Sequence, residues 1–220
     1  MYRIVSFLGQ ILIKVIEWLF HLPPDKQHAE PEWISRLCTQ IEDFKSEFLA
    51  LYDANLREFK EISQEQRRIT KGNSWKIFIL KAYGRSLPAN CNRCPKTSKS
   101  CLSIPEITTV AFSVLEPGTH ITPHRGIYAG VLRCLIPLII PEGDCGIRVA
   151  ETKYKWTSGQ PVLFDDTIEH EAWNYSEARR VVLFIDYRKS LPLPLAILNK
   201  IMIRLIGFSP YIGRMLRASL

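Results

Sequence analysis

Three of the five histidines lie in two short segments whose residue types suit metal binding. The segment "HITPHRG" at 120–126 supplies His120 and His124, and "FDDTIEHE" at 164–171 supplies His170, which stands 46 residues after His124. Each segment follows a turn beside a strand-like run. Imidazoles held at strand rims suit a mid-to-late first-row metal, Fe(II) among them. On spacing alone, the alternative is that each histidine only hydrogen-bonds its own loop.

A third protein ligand is not evident from the sequence. Many non-haem iron oxygenases use two histidines and a carboxylate, and the carboxylate usually stands two residues after the first histidine. Gly126 occupies that position here. Asp165 and Asp166, five and four residues before His170, are the substitutes that the sequence offers.

Two arginines stand in strongly apolar strand-like runs. Strand alternation puts Arg180 of "RVVLFIDY" on the same face as Val182 and Phe184, and Arg133 stands in "GVLRCLIPLII". A guanidinium inside a barrel requires an anionic partner. A dicarboxylate would supply one, because arginine binds carboxylates bidentately. The alternative is that both arginines lie on edge strands and face water.

Composition favours one globular domain with appendages. The chain has 220 residues, 46% of them hydrophobic, which is enough for a packed core. Residues 29–60 are predicted to be helical. Beyond residue 73, at least seven short runs rich in Val, Ile, Phe, Trp and Tyr are separated by Gly, Pro and Asp, which indicates a mainly β fold of jelly-roll, cupin-like type.

Both ends of the chain have amphipathic character. Residues 1–22 carry a narrow polar stripe on an otherwise apolar helix, and after Asp186 the chain has basic residues but no acidic one. In the C-terminal segment, Lys200 and Arg204 flank a face that we expect to contain apolar residues, namely Leu195, Leu198, Met202, Leu205 and Ile206. Apolar anchors beside basic residues favour an anionic membrane surface over nucleic acid. For residues 1–22, packing into the core or spanning the bilayer remain alternatives.

These observations predict four segments: an interface helix at 1–22, a helical region at 23–72, a jelly-roll domain at 73–190 and basic amphipathic helices at 191–220. No cleavable signal is apparent, so we expect a cytoplasmic protein, peripheral on the inner face of a membrane. The pair "CNRC" at 91–94 and Cys101 leave zinc binding open, although reduced structural thiols are favoured.

Several separated motifs, in order, resemble the aspartyl/asparaginyl β-hydroxylase family. They are "CPKT" at 94–97, "PGTH", "PHRG", "FDD" followed by "HE", and the final "RVVLFID" strand. The stretch "HRGIYAGVLR" is also similar to the lipid A 2-hydroxylase branch. The family implies a double-stranded β-helix that uses Fe(II), 2-oxoglutarate and O2 to hydroxylate an unactivated C–H bond, releasing succinate and CO2.

Carried over by position, the resemblance assigns roles to five residues. His124 and His170 match the iron-binding histidines, Ser113 and Arg180 match the residues that hold the distal carboxylate of 2-oxoglutarate, and Arg133 matches a residue near its C1 carboxylate. Direct iron ligation by an aspartate is not expected, because the family does without that acid. Asp165 and Asp166 would then support the loop. His120 and Trp156 match family positions for which no catalytic role is assigned.

One departure from the family pattern is Leu135, where a histidine that helps to bind 2-oxoglutarate is common. The loss leaves two functions open. The first is a dioxygenase acting on a peptidyl Asp or Asn or on a lipid acyl chain. The second is a catalytically weakened jelly-roll binding protein at the membrane. A nucleic-acid- or zinc-binding module would depend only on the basic tail and "CNRC".

Overall fold

The computed structural model describes residues 20, 30–54, 64–72 and 74–219. Its described helices fall into three groups along the chain. The first comprises α1 (Glu32–Cys38), α2 (Ile41–Ala54) and α3 (Gln64–Ile69); the second, α4 (Pro88–Arg93) and α5 (Pro95–Leu102); the third, α6 (Leu193–Gly207) and α7 (Pro210–Ala218). The helical prediction for 29–60 therefore holds over its described part.

Eleven described strands form two antiparallel sheets. They are β1 (Thr70–Lys71), β2 (Trp75–Ala82), β3 (Arg85–Ser86), β4 (Ile107–Leu115), β5 (Thr119–His124), β6 (Val131–Ile139), β7 (Cys145–Val149), β8 (Thr152–Lys155), β9 (Val162–Phe164), β10 (His170–Asn174) and β11 (Arg180–Arg188). The smaller sheet has the order β1-β5-β10-β7-β8, and the larger has β3-β2-β4-β11-β6-β9. Two facing sheets of this kind are the predicted jelly roll.

Strand alternation separates two apolar cores. On β11, Val181, Leu183 and Ile185 pack outward against the layer that contains α1 and α2. Val182 points the other way and packs between the two sheets with residues of both, such as Leu115 and Ile147. Burial on both faces explains why β4 and β11 are nearly continuous apolar runs. Both β6 and β11 are interior strands, so Arg133 and Arg180 do not lie on edge strands.

The C-terminal helices return to the jelly roll. On α6, Met202 and Ile203 pack with Tyr128 and with Phe20. The predicted apolar face was wrong in one member, because Leu205 is 61% exposed. No single described helix is long and apolar enough to span a bilayer, although α6 and α7, bent by 57°, pass that test as a pair. Apart from Phe20, the predicted helix at 1–22 lies outside the described residues.

Candidate active site

The two histidines predicted to bind iron face each other on neighbouring strands. His170 at the start of β10 is the cross-strand partner of His124 at the end of β5. Their ring centroids are 4.1 Å apart. In each case Nδ1 lies 2.8 Å from the backbone carbonyl oxygen two residues earlier. A carbonyl only accepts, so each Nδ1 carries the proton and each Nε2 presents a lone pair.

Both imidazoles are held in the neutral form. Burial lowers the pKa of His124. Burial, the charge of Arg133 and the neighbouring His124 lower the pKa of His170 to about 3. A neutral imidazole with a free Nε2 is the form that binds a metal. The Asp166 carboxylate lies 3.4 Å from the His170 Nε2. Because two electron-pair donors face each other there, a cation between them would be favourable.

Arg133 lies beside this pair and is bound by two aspartates. Its guanidinium donates to Asp166 and, at 2.9 Å, to Asp186, its cross-strand partner on β11. Burial alone would lower the pKa of Arg133, but the two carboxylates raise it. One cation and two anions leave a net negative charge beside the neutral histidines, which favours a divalent cation. The predicted contact of Arg133 with 2-oxoglutarate stays a prediction.

Gly126 lies directly against Asp166. The Gly126 N–H donates to the Asp166 carbonyl oxygen at 2.7 Å. A Cβ atom at position 126 would overlap the Asp166 carboxylate. The room that a carboxylate at 126 would need is therefore already filled by the side chain of Asp166. Asp165 is turned elsewhere: it accepts from the backbone N–H of Thr167 and from the buried Lys189.

Arg180 is a buried cation that pairs with no carboxylate among the described residues. It is 2% exposed, and its Nε has no hydrogen-bond partner among the described residues. Burial lowers the pKa of Arg180 to about 10. Its guanidinium carbon lies 5.4 Å from the ring centre of Trp156, whose Nε1 is also buried without a described partner. Two unsatisfied donors at one place mark a position for an anion from outside the chain.

Ser113 lies next to Arg180 across the strand pair. Ser113 is opposite Val182, and Arg180 is opposite Leu115, so both polar side chains point between the sheets. The Ser113 Oγ accepts a hydrogen bond from Trp75 Nε1 at 3.0 Å and keeps its own proton to donate. Trp75 was not predicted to belong to the site, and Trp156 was predicted only to match a family position without a catalytic role. A tryptophan in a strand run reads as ordinary core, and only the orphaned or paired N–H distinguishes it.

Leu135 lines the same interior without supplying a donor. It is 5% exposed and packs in the cluster between the sheets, opposite Phe184 on β11. His120 lies elsewhere, where its ring contacts Glu171 at 2.8 Å. The "CNRC" thiols are free, and burial raises the pKa of Cys94 to about 12. No three metal-binding side chains cluster within the described ranges.

The fold and site define a jelly-roll protein with a facing pair of neutral histidines and a separate cationic subsite. The family model for aspartyl/asparaginyl beta-hydroxylase matches residues 39–190, and the chain belongs to that family. It is therefore a member of a hydroxylase family. The predicted resemblance is confirmed.

Two curated relatives differ in how much they share with this chain. The ornithine lipid ester-linked acyl 2-hydroxylase of Rhizobium tropici is 36% identical, over 94% of this chain and 78% of its own length. The human aspartyl/asparaginyl beta-hydroxylase is 32% identical, over 58% of this chain and 19% of its own length. Similarity to solved structures is low: a cupin 2 barrel protein from Salinispora arenicola covers 65% of the chain at 12% identity and a TM-score of 0.36.

Proposed function

We propose that this protein is an Fe(II)- and 2-oxoglutarate-dependent dioxygenase that hydroxylates an unactivated C–H bond of a lipid acyl chain, releasing succinate and CO2. The observation that carries the proposal is the pairing of two subsites in one interior. One is a pair of neutral histidines, and the other is the buried Arg180, whose Nε has no hydrogen-bond partner in the described part of the chain. A metal and a dicarboxylate are the two ligands that would satisfy both subsites.

The residues beside the histidines fit Fe(II). His124 and His170 would hold it through Nε2, because the carbonyl oxygens of residues 122 and 168 fix both Nδ1 protons. The excess negative charge of Asp166 and Asp186 over Arg133 favours a divalent ion there. When bound, iron together with 2-oxoglutarate and O2 supplies the oxidising power for C–H hydroxylation.

The residues around Arg180 fit the distal carboxylate of 2-oxoglutarate. Arg180 supplies the charge, the Ser113 hydroxyl proton is free to donate, and the Trp156 indole N–H lacks a described acceptor. Apolar side chains from both sheets surround these donors and exclude water. In such an environment a charge-assisted hydrogen bond is worth more than in solvent. Leu135 contributes apolar surface where the family commonly has another donor.

A lipid acyl substrate is supported by the extent of similarity. The relative named as an acyl 2-hydroxylase aligns with 94% of this chain, whereas the human protein aligns with 58%. A peptidyl Asp or Asn is the other candidate, since the human relative is named for that activity.

The test is succinate formation by purified protein supplied with Fe(II), 2-oxoglutarate and O2. We expect slow turnover that is lost in His124→Ala and in His170→Ala and retained in His120→Ala, the matched control. Equal succinate from wild type and both site variants would sink the enzyme proposal. Binding of 2-oxoglutarate without any succinate, with lipid present, would identify a weakened binding protein instead.

The substrate class is tested separately in cells. Lipids and proteins from cells with and without the gene are compared by mass spectrometry for species that gain one oxygen atom. We expect the gain in an acyl chain of a membrane lipid. A gain confined to Asp or Asn residues would replace the acyl substrate with a peptide.

A further inference from the structure

One side of α6 presents a row of large apolar side chains to solvent. Their spacing of four, four, four and three residues places them along one helix face, and their exposed fractions run from 50% to 74%. They are Leu193, Ile197, Ile201, Leu205 and Phe208. The opposite face, which includes Met202 and Ile203, is buried against the jelly roll. We call the exposed row the α6 stripe; contiguous apolar surface of this kind marks an interaction site.

A basic cleft of about 400 Å³ borders the α6 stripe. Phe208 at the end of the stripe also lines the cleft. Among the described residues that line it, five are cationic and none is a carboxylate; the five are Lys81, Arg85, Arg188, Lys200 and Arg204. Four segments of the chain contribute these residues, so the cleft cannot be read from the C-terminal sequence alone.

The cations of the cleft keep their charge uncompensated by the part of the chain that the structure describes. Lys81, Arg85 and Arg188 donate to backbone carbonyl oxygens at 2.7–3.1 Å, and none of the five pairs with a described carboxylate. Burial and the nearby Arg188 lower the pKa of Lys81. Carbonyl contacts fix these side chains in place without neutralising them, which suits an anionic ligand.

We propose that the α6 stripe and the basic cleft together bind the surface of an anionic phospholipid bilayer. The cleft would take a headgroup phosphate, and the stripe would lie at the boundary between headgroups and acyl chains. Charge complementarity selects the anionic lipid, and the five apolar side chains select a bilayer over a nucleic acid, which would leave them in water. The proposal is independent of the hydroxylase chemistry, because it requires no bound iron or cosubstrate.

The buried side of α6 connects this surface to the site. Asn199 accepts a hydrogen bond from the Tyr128 hydroxyl and donates to the Gly130 carbonyl, each at 2.8 Å. Both partners lie in the loop between β5, which ends at His124, and β6. In the same loop, Ile127 is 64% exposed. Docking of α6 would therefore hold this loop close to the bilayer.

The experiment measures binding of the full-length protein to vesicles. One set contains phosphatidylcholine alone, and the other contains phosphatidylcholine with phosphatidylglycerol. We expect binding to the anionic set, reduced roughly tenfold or more by the stripe variant Ile201→Gln/Leu205→Gln and by the cleft variant Lys200→Gln/Arg204→Gln. Matched controls are Leu49→Gln on α2 and Lys153→Gln/Lys155→Gln on β8, which should bind as the wild type does.

Three results would overturn the proposal. Wild-type affinity of both the stripe and cleft variants would place any membrane contact elsewhere, including residues 1–19. A dimer that the stripe variant dissociates, with no vesicle binding by the wild type, would make the stripe a contact between copies. Binding to single-stranded RNA that outcompetes the anionic vesicles would assign the cleft to nucleic acid. Succinate formation in detergent is measured in parallel, so that failure of docking is distinguished from failure of the enzyme proposal.

Discussion

The two arginines of the interior differ in what surrounds their charge. Arg133 is held between Asp166 and Asp186, and these carboxylates raise its pKa. Arg180 has no described carboxylate beside it, and burial lowers its pKa to about 10. The adjacent aromatic rings do not remove the contrast, since Arg133 lies over Phe184 and Arg180 near Trp156.

This contrast distinguishes an arginine whose charge is neutralised within the protein from one whose charge is available to bind a ligand. Where a cation is paired with anions inside a protein, removing one partner leaves the others unpaired and is strongly destabilising. A buried cation without an anion lowers stability and is retained where a ligand supplies the missing charge. Arg133 is thus expected to matter for folding and for the histidines, and Arg180 for the affinity of a dicarboxylate.

The largest effect should follow Arg133→Gln. The substitution leaves two buried carboxylates without their cation, so we expect the free energy of unfolding to fall by about 3–5 kcal/mol. Urea denaturation of the metal-free protein measures the change. The double variant Arg133→Gln/Asp186→Asn should recover part of the loss, because it removes one of the orphaned charges. A single variant as stable as the wild type would contradict a structural role for Arg133.

Arg180→Gln should have the opposite character. We expect 2-oxoglutarate to bind about 100-fold more weakly, in line with the loss of a charge-assisted contact in a buried site. Stability without ligand should be unchanged or higher, since an unpaired buried charge is removed. Calorimetric titration and thermal melting measure the two quantities. Arg179→Gln is the control, because Arg179 directly precedes the strand and its guanidinium lies over the ring of Tyr52 on α2. Equal losses of affinity in both variants would refute the assignment.

The lowered pKa of His170, beside Arg133, predicts that the stability of the folded protein depends on pH. His170 has a folded-state pKa of about 3, below its ordinary value of 6.5, mainly through burial and then through Arg133. As the pH falls below about 6.5, His170 binds a proton in the unfolded chain but not in the folded protein. Stability of the metal-free protein should then decrease by up to about 1.4 kcal/mol per pH unit, down to the folded pKa. Above the unfolded-state pKa, the contribution of His170 to the free energy of unfolding no longer changes with pH.

Urea midpoints between about pH 7 and about pH 4 measure this slope. His170→Asn should show a shallower slope, because it removes one group that binds a proton only in the unfolded chain. Arg180→Gln should keep the wild-type slope, because the charge of Arg180 is not among those that shift the pKa of His170. A slope that is the same in wild type and His170→Asn would show that the histidine titrates normally in the folded protein.

Much of this site follows from local sequence rules. Alternation along β11 places Arg180 and Val182 on the inner face and Val181 on the outer one, and the structure agrees. Short strand-like runs bounded by Gly, Pro and Asp likewise predicted the jelly roll. Such rules work because a strand repeats every two residues whatever its neighbours are.

The remaining features depend on register between distant strands. Nothing within "GVLRCLIPLII" shows that Arg133 lies opposite Asp186, since that pairing is set by how β6 and β11 align. The outward position of Leu205 was missed because α6 is apolar on nearly all sides, so that periodicity alone did not identify its packed face. Trp75 was missed, and Trp156 was given no role, because only a three-dimensional neighbour shows whether an indole N–H has an acceptor.

The smallest predicted effect concerns Trp156 and tests one donor of the carboxylate subsite around Arg180. Trp156→Phe keeps an aromatic ring near the guanidinium, removes the buried N–H, which has no described acceptor, and shortens the ring system. If that N–H completes the carboxylate subsite in place of a donor at Leu135, 2-oxoglutarate should bind about five- to tenfold more weakly, the value of one hydrogen bond. Trp173→Phe is the control, because the N–H of Trp173 donates to Asp144 at 2.6 Å. Unchanged affinity in Trp156→Phe would leave Arg180 and Ser113 as the whole of the subsite, and Leu135 would then represent a donor lost without replacement.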